Sequence, residues 1–210
     1  MTTWVVKLGG SVYKSAELSH WLDVIVGPGA GKTVLVPGGG PWADEVRAAQ
    51  KVEGFGDRTA HRKALLAMEQ YGHVLAGLRS NLVPAHSVAA ISEVLQLGKI
   101  AVWMPYAMVV DEPSIEESWD VTSDSLAAWL AVRLQASGLL LIKSIQIDGH
   151  KPGIAELIRR GWVDPAFGRF ASGLRVPTMV FGQGGQDAAV ELLSSPCWHA
   201  GVPGVHCHRT

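Results

Sequence analysis

Short apolar runs alternate with longer amphipathic stretches along most of this chain, and that alternation limits the possible folds more than any other feature. Residues 4–8, 33–36, 100–104, 139–142 and 178–181 are brief and mostly rich in Val, Ile, Leu or Trp, as strands buried on both faces are. Between them, residues 16–26, 42–52, 58–78, 88–95, 123–136, 154–160 and 186–193 read as helices. Thr122 or Ser123 can cap the helix at 123–136, with Asp124 favoured in its first turn. Such alternation predicts βαβ units and hence an α/β fold, a three-layer αβα sandwich around a mainly parallel open sheet. There is no internal repeat and no low-complexity linker, so residues 1–210 are read as one domain. Residues 105–113, which begin and end on proline, are expected to form an irregular excursion or a small hairpin.

Composition excludes several classes of function. Hydrophobic residues make up 48% and charged residues 18%, the balance of a chain with a buried core. A net charge of −1 and the lack of basic stretches interleaved with aromatics argue against nucleic acid or an anionic membrane as partner. Two cysteines, Cys197 and Cys207, are too few for a disulfide framework and fit a reducing compartment. The chain opens on a strand-like segment, so no signal peptide is expected. Its apolar runs fall far short of the roughly 20 residues of a membrane span. A cytoplasmic protein is expected.

Any anionic ligand must then be held by local geometry, and two glycine turns offer it. Val5-Val6-Lys7-Leu8 runs directly into Gly9-Gly10-Ser11, and Val34-Leu35-Val36-Pro37 into Gly38-Gly39-Gly40. Both turns fall at the carboxyl ends of predicted strands, where ligands of parallel sheets bind. Without Cβ atoms such turns bring backbone N–H groups close to a phosphate. A helix starting after Gly40, with Pro41 in its first turn, adds a positive dipole end. Two near-misses are set aside. Gly27-Pro28-Gly29-Ala30-Gly31-Lys32-Thr33 has three residues, not four, before its Gly-Lys pair, and runs from helix to strand where a P-loop runs from strand to helix. Neither turn has the spacing of a Gly-x-Gly-x-x-Gly dinucleotide fingerprint.

Four ordered motifs spanning residues 5–149 resemble the amino acid kinase superfamily, which includes acetylglutamate, aspartate, carbamate, uridylate and isopentenyl phosphate kinases. Lys7-Leu8-Gly9-Gly10-Ser11 is similar to its opening Lys-x-Gly-Gly-Ser, and Val36-Pro37-Gly38-Gly39-Gly40 to its second glycine motif. Trp119-Asp120-Val121-Thr122-Ser123-Asp124-Ser125-Leu126-Ala127-Ala128 resembles the segment carrying the organising aspartate. Leu141-Ile142-Lys143-Ser144-Ile145-Gln146-Ile147-Asp148-Gly149 resembles the nucleotide segment of the phosphate-acceptor branch. Within the superfamily the strongest resemblance is to small kinases of methanofuran biosynthesis, which phosphorylate an aminomethylfuran-methyl phosphate. Its cues are the compact length, residues 60–72 and Gly161-Trp162-Val163-Asp164-Pro165-Ala166-Phe167. The sequence departs from the pattern in two places: Pro41-Trp42 stands where several relatives carry Ser-Phe or a phosphate-gripping histidine, and the C-terminus lacks the common Gly-Thr ending.

The resemblance implies an ATP-dependent kinase acting on a small phosphate-bearing metabolite. An amino acid carboxylate kinase and a non-catalytic oxyanion-binding relative are the alternatives. It implies an acceptor-binding half at about 1–120, a nucleotide-binding half at about 121–210, and a homodimer or higher homo-oligomer. Phosphoryl transfer needs positioning and charge neutralisation. Lys7 would lie between donor and acceptor phosphates, Lys143 would contact the donor from the far side, and Asp124 would orient both lysines. Gly9, Gly10, Ser11, Asp148 and Gly149 would complete the ATP site. Gly38, Gly39, Gly40 and His61 would hold the acceptor. Mg²⁺ would arrive on ATP with few protein ligands. No resident metal is expected, because the spacings of Cys197, His199, His206, Cys207 and His208 match no standard zinc signature. Of the eight tryptophans, Trp4, Trp103 and Trp129 are expected in the core and Trp42 in the acceptor pocket.

Overall fold

A computed structural model describes residues 2–147 and 152–194, and among these one open sheet joins six strands, all parallel. The strands are β1 (Trp4–Leu8), β2 (Thr33–Pro37), β3 (Leu82–Ala85), β4 (Ile100–Trp103), β5 (Gly138–Ile142) and β6 (Thr178–Phe181), in the spatial order β3-β4-β2-β1-β5-β6. The helices are α1 (Leu18–Val26), α2 (Gly40–Glu53), α3 (Asp57–Leu78), α4 (Val88–Gln96), α5 (Tyr106–Val109), α6 (Ser123–Arg133), α7 (Ile154–Arg159), α8 (Phe167–Ala171) and α9 (Gln186–Ser194). A 3-10 turn, Gly10–Lys14, follows β1. The α/β sandwich expected from the alternation is the fold observed. No helix among the described residues is long and apolar enough to cross a membrane.

The five expected strands and seven expected helices are all present, with ends shifted by three residues or fewer. The helix read as 123–136 stops at Arg133 because Gln135 turns to a left-handed φ of 49°, and the Ala136 N–H closes back on the Ala131 carbonyl at 2.9 Å. Residues 105–113 hold no hairpin; the Pro105 carbonyl instead accepts from Met108 and Val109 and starts the one-turn helix α5. The P-loop near-miss is a run of turns between α1 and β2. The added strand β3 contains Pro84, which the edge of a sheet tolerates because no further strand needs its missing N–H.

Two apolar layers cover the sheet. One contains Val5, Val36, Trp103 and Leu141 with α4, α6 and α8, and the other contains Trp4, Val6, Leu8 and Ile142 with α1 and α9. The 22-residue helix α3 supplies both, Leu65 and Met68 to the first and Tyr71 and Leu75 to the second. Trp4 and Trp103 are buried as expected, whereas Trp129 is only half-buried and stacks on Trp103 from the margin of the core, with centroids 6.1 Å apart. The chain moves out from β1 to β2 on one side and later returns to place β5 on the other. That reversal opens a crevice at the carboxyl ends of β1, β2 and β5, the usual ligand position in an open parallel sheet.

Candidate active site

Strand alternation decides which way Lys7 points. Residues i and i+2 of a strand share a face, so Lys7 lies on the side of Val5, the layer that contains α6, rather than that of Val6 and Leu8. There it is buried, 4% exposed, and its Nζ lies 2.8 Å from Asp124 Oδ1, close but without the alignment of a directed hydrogen bond. Asp124 occupies the first turn of α6, where the positive end of the helix dipole favours a carboxylate. Its other oxygen, Oδ2, accepts from Lys143 Nζ at 2.5 Å. Lys143 follows β5, whose last residue Ile142 pairs in register with Leu8. Three segments far apart in sequence thus bring Lys7, Asp124 and Lys143 together.

Two ammonium groups facing one carboxylate leave surplus positive charge in a place with little water. Burial pushes the Lys143 ammonium down to about 8, with repulsion from Lys7 adding to it and Asp124 opposing it. Burial alone would raise Asp124; the charges of Lys7 and Lys143 outweigh that and hold it at about 2. Asp124 therefore stays ionised at neutral pH, and an anion would neutralise the surplus beside it.

The glycine turns abut one another. A Cβ on Gly10 would fall 2.3 Å from the Gly40 nitrogen, and one on Gly38 would fall 2.4 Å from the Gly10 nitrogen. The close packing explains glycine at these positions, and the turns form one continuous floor. Not every expected donor is available. The Gly9 N–H donates to the Ile142 carbonyl at 2.8 Å and the Gly38 N–H to the Leu8 carbonyl at 2.9 Å, extending the sheet's hydrogen bonding beyond the strand ends. Gly10 and Ser11 open the 3-10 turn and Gly39 and Gly40 open α2, positions whose N–H groups have no partner inside the helix. Gly40 takes a φ of 54°, which favours glycine. Ser11 Oγ lies 2.5 Å from Ser144 Oγ, joining the β1 turn to the residue after Lys143.

Beside this floor is a cavity of about 430 Å³ whose lining includes Gly10, Gly39, Gly40, His61 and Trp119. Lys14 and Arg47 also line it, the latter with its guanidinium 4.0 Å from the centre of the Trp119 ring. Trp119 Nε1 donates to Gln50 Oε1 at 2.6 Å, tying the stretch before α6 to α2. His61 anchors the same stretch: its Nδ1 is 3.1 Å from the Ser118 carbonyl, so Nδ1 carries the proton. Burial lowers its proton affinity, and its buried Nε2 has no hydrogen-bond partner among the described residues. Trp42 does not line this cavity; it points to the other side of α2 and stacks on Tyr71, with centroids 5.8 Å apart. Asp148, Gly149, Cys197, His199, His206, Cys207 and His208 lie outside the described residues.

Reading the sequence missed Trp119, Arg47, Lys14 and Ser144 as lining or bridging residues. Trp119 and Ser144 lie within motifs that drew attention to their neighbours. Nothing local marks Arg47, since a cation on an exposed helix face is ordinary.

Comparison with known proteins agrees with this geometry. Residues 2–160 match the amino acid kinase family. The chain is 27% identical over 147 residues to the [5-(aminomethyl)furan-3-yl]methyl phosphate kinase of Methanocaldococcus jannaschii, covering 69% of this chain and 66% of that protein, just under two thirds of its length. Among solved structures it resembles the uridylate kinase of Archaeoglobus fulgidus, with a TM-score of 0.65, 14% identity and coverage of 92% of this chain and 96% of that one. It also resembles the UMP kinase of Ureaplasma parvum, with a TM-score of 0.68, 15% identity and coverage of 91% and 94%. With the match extending from before β1 to the end of α7, this chain belongs to the amino acid kinase family.

Proposed function

We propose that this chain is an ATP-dependent kinase that transfers the γ-phosphoryl group to a small phosphate-bearing metabolite. The observation that carries the proposal is the buried Lys7–Asp124–Lys143 cluster at the carboxyl edge of the sheet, with its surplus positive charge. In phosphoryl transfer the protein's task is to align donor and acceptor and to offset charge on the transferred group. Lys7 and Lys143 supply that charge, and Asp124 fixes the spacing between them. The N–H groups of Gly10, Gly39 and Gly40, with the Ser11 and Ser144 hydroxyls, would hold oxygens over the floor. Because the acceptor is already an oxyanion, no side chain need remove a proton from it. Mg²⁺ would neutralise charge on the donor phosphates. Both oxygens of Asp124 face lysines, so the ion would be held mainly by phosphate and water.

Lys14 and Arg47 beside the glycine floor outnumber Asp44, which lies 3.7 Å from Arg47, and so favour an anionic acceptor; the relative's name points to an aminomethylfuran-methyl phosphate. Membership of the family supports a cytoplasmic homo-oligomer. Within each chain the acceptor-binding half, about 1–120, and the nucleotide-binding half, about 121–210, would meet at the β1/β5 crevice. The test is ATP-dependent ADP release with a panel of small phosphates and carboxylates that includes [5-(aminomethyl)furan-3-yl]methyl phosphate. Release that requires a phosphate acceptor and is lost in Lys7→Ala supports the proposal. Turnover with carboxylates alone, or turnover that survives Lys7→Ala, overturns it.

A further inference from the structure

We propose that Asp164 is a positioning residue for this centre, capping α6 from a distant loop and thereby setting where Asp124 holds the two lysines. The proposal rests on the kinase reading for its activity readouts and on geometry for the rest. Helix α6 does not cap itself: Thr122, its N-cap residue, makes no side-chain bond to the helix. In a self-contained capping box, the N-cap side chain accepts from the N–H three residues on, and the side chain there accepts from the N-cap N–H. Here one carboxylate from 39 and 42 residues away takes both bonds. Asp164 Oδ2 accepts from the Thr122 N–H at 2.9 Å and from the Ser125 N–H at 3.0 Å. It also accepts from the Thr122 hydroxyl at 2.8 Å, while Oδ1 accepts from the Ser125 hydroxyl. The Ala166 N–H donates to the Asp120 carbonyl at 3.1 Å, fixing the same loop to the residues leading into the helix.

Asp124 lies between Thr122 and Ser125 in the turn so held, and Ser123, Asp124 and Ser125 are all buried. Asp164 is itself only 7% exposed. Burial, and then the nearby charge of Asp124, raise its proton affinity; the bonds from Ser125 and Thr122 oppose both. Placing a second buried carboxylate beside Asp124 is costly, and those bonds offset the cost only in this arrangement. A capping bond stabilises any helix, but this one also determines where Asp124 can reach both lysines. Misplacement of a positioning group by about 1 Å costs on the order of 100-fold in rate.

The test is a double-mutant cycle of Asp164→Asn with Asp124→Asn, measuring kcat, both KM values and Tm for each variant. Asp164→Asn is expected to lower kcat about 10- to 100-fold, with both KM values within about threefold of the parent. In the Asp124→Asn background the same change should cost less than about threefold in kcat while lowering Tm as before, because the group it acts through is already lost. A folded Asp164→Asn protein with parental kcat, or an equal loss in both backgrounds, overturns the proposal. If Asp164→Asn does not fold, Ser125→Ala removes one of the four bonds; a kcat about two- to fivefold lower supports the proposal and an unchanged kcat overturns it. An activity-free readout separates this proposal from the kinase reading. In protein labelled with ¹³Cε-lysine, Asp164→Asn should move the Lys143 titration downward, towards its position in Asp124→Asn. An unmoved titration overturns the positioning role, whereas a moved one with no transfer to any acceptor overturns only the kinase reading.

Discussion

Replacing Asp124 by Asn removes the one negative charge between Lys7 and Lys143 while nearly preserving shape, and its effect on activity should depend on pH in a particular way. Lys143 is already pushed down to about 8 by burial and by Lys7, with Asp124 opposing both. An opposite charge in contact is worth about 10- to 1000-fold in proton affinity, so its removal lowers Lys143 further. In the parent at pH 7, about nine in ten molecules carry the Lys143 proton, and a hundredfold loss of affinity leaves roughly one in ten. That alone is about a ninefold fall, and loss of the fixed lysine spacing adds on the order of 10- to 100-fold, for a total near 10² to 10³ in kcat/KM. The sign follows from the charge. Activity needs the ammonium, so it is retained below the Lys143 value and lost above it, with the parent's alkaline limb near 8 and the variant's at lower pH. The assay is kcat/KM for ATP from pH 5 to 9 in both proteins, with Tm measured at each pH. The variant's deficit should shrink towards the acid end. A variant profile parallel to the parent's, or no loss of activity at all, would refute this account of the cluster.

Gly10→Ala places a Cβ 2.3 Å from the Gly40 nitrogen and 2.7 Å from its Cα. Backbone cannot yield as a side chain does, so about 1–3 kcal/mol of stability should be lost in chemical denaturation, with kcat falling as the turns part. Trp119→Ala removes the indole that lies against Arg47 and bonds Gln50. The KM for the acceptor should rise about tenfold while that for ATP changes less than about twofold in initial-rate measurements. Trp42→Phe touches the stack on Tyr71 and not the cavity, so the acceptor KM should stay within about twofold of the parent.

Much of the fold was legible because its strands are buried on both faces and therefore read as unbroken apolar runs. Leu82-Val83-Pro84-Ala85 was not, because an edge strand of four residues with a proline and two half-buried positions carries no such run. The one-turn helices α5 and α8 are too short for a 3.6-residue period to register. At the site, Lys7, Asp124 and Lys143 were legible through motifs, yet the uses of individual groups were not. The Gly9 and Gly38 N–H groups serve the sheet, which only strand register reveals. Trp42 and Ala43 differ by one position, but that rotates a side chain about 100° around α2, enough to move Trp42 away from the cavity that Ala43 lines. Asp164 lies in a segment noticed only as part of a resemblance, and its four bonds to Thr122 and Ser125 are set by tertiary structure alone.

The central claim is that the lysine pair held by Asp124 carries a phosphoryl group from ATP to an acceptor phosphate. ³¹P NMR of the product made from ATP, Mg²⁺ and [5-(aminomethyl)furan-3-yl]methyl phosphate tests it most directly. The account predicts ADP together with a second, coupled pair of diphosphate resonances from the acceptor, both absent with Lys7→Ala. Inorganic phosphate as the sole product beside ADP, or a diphosphate that still forms with Lys7→Ala, would contradict it.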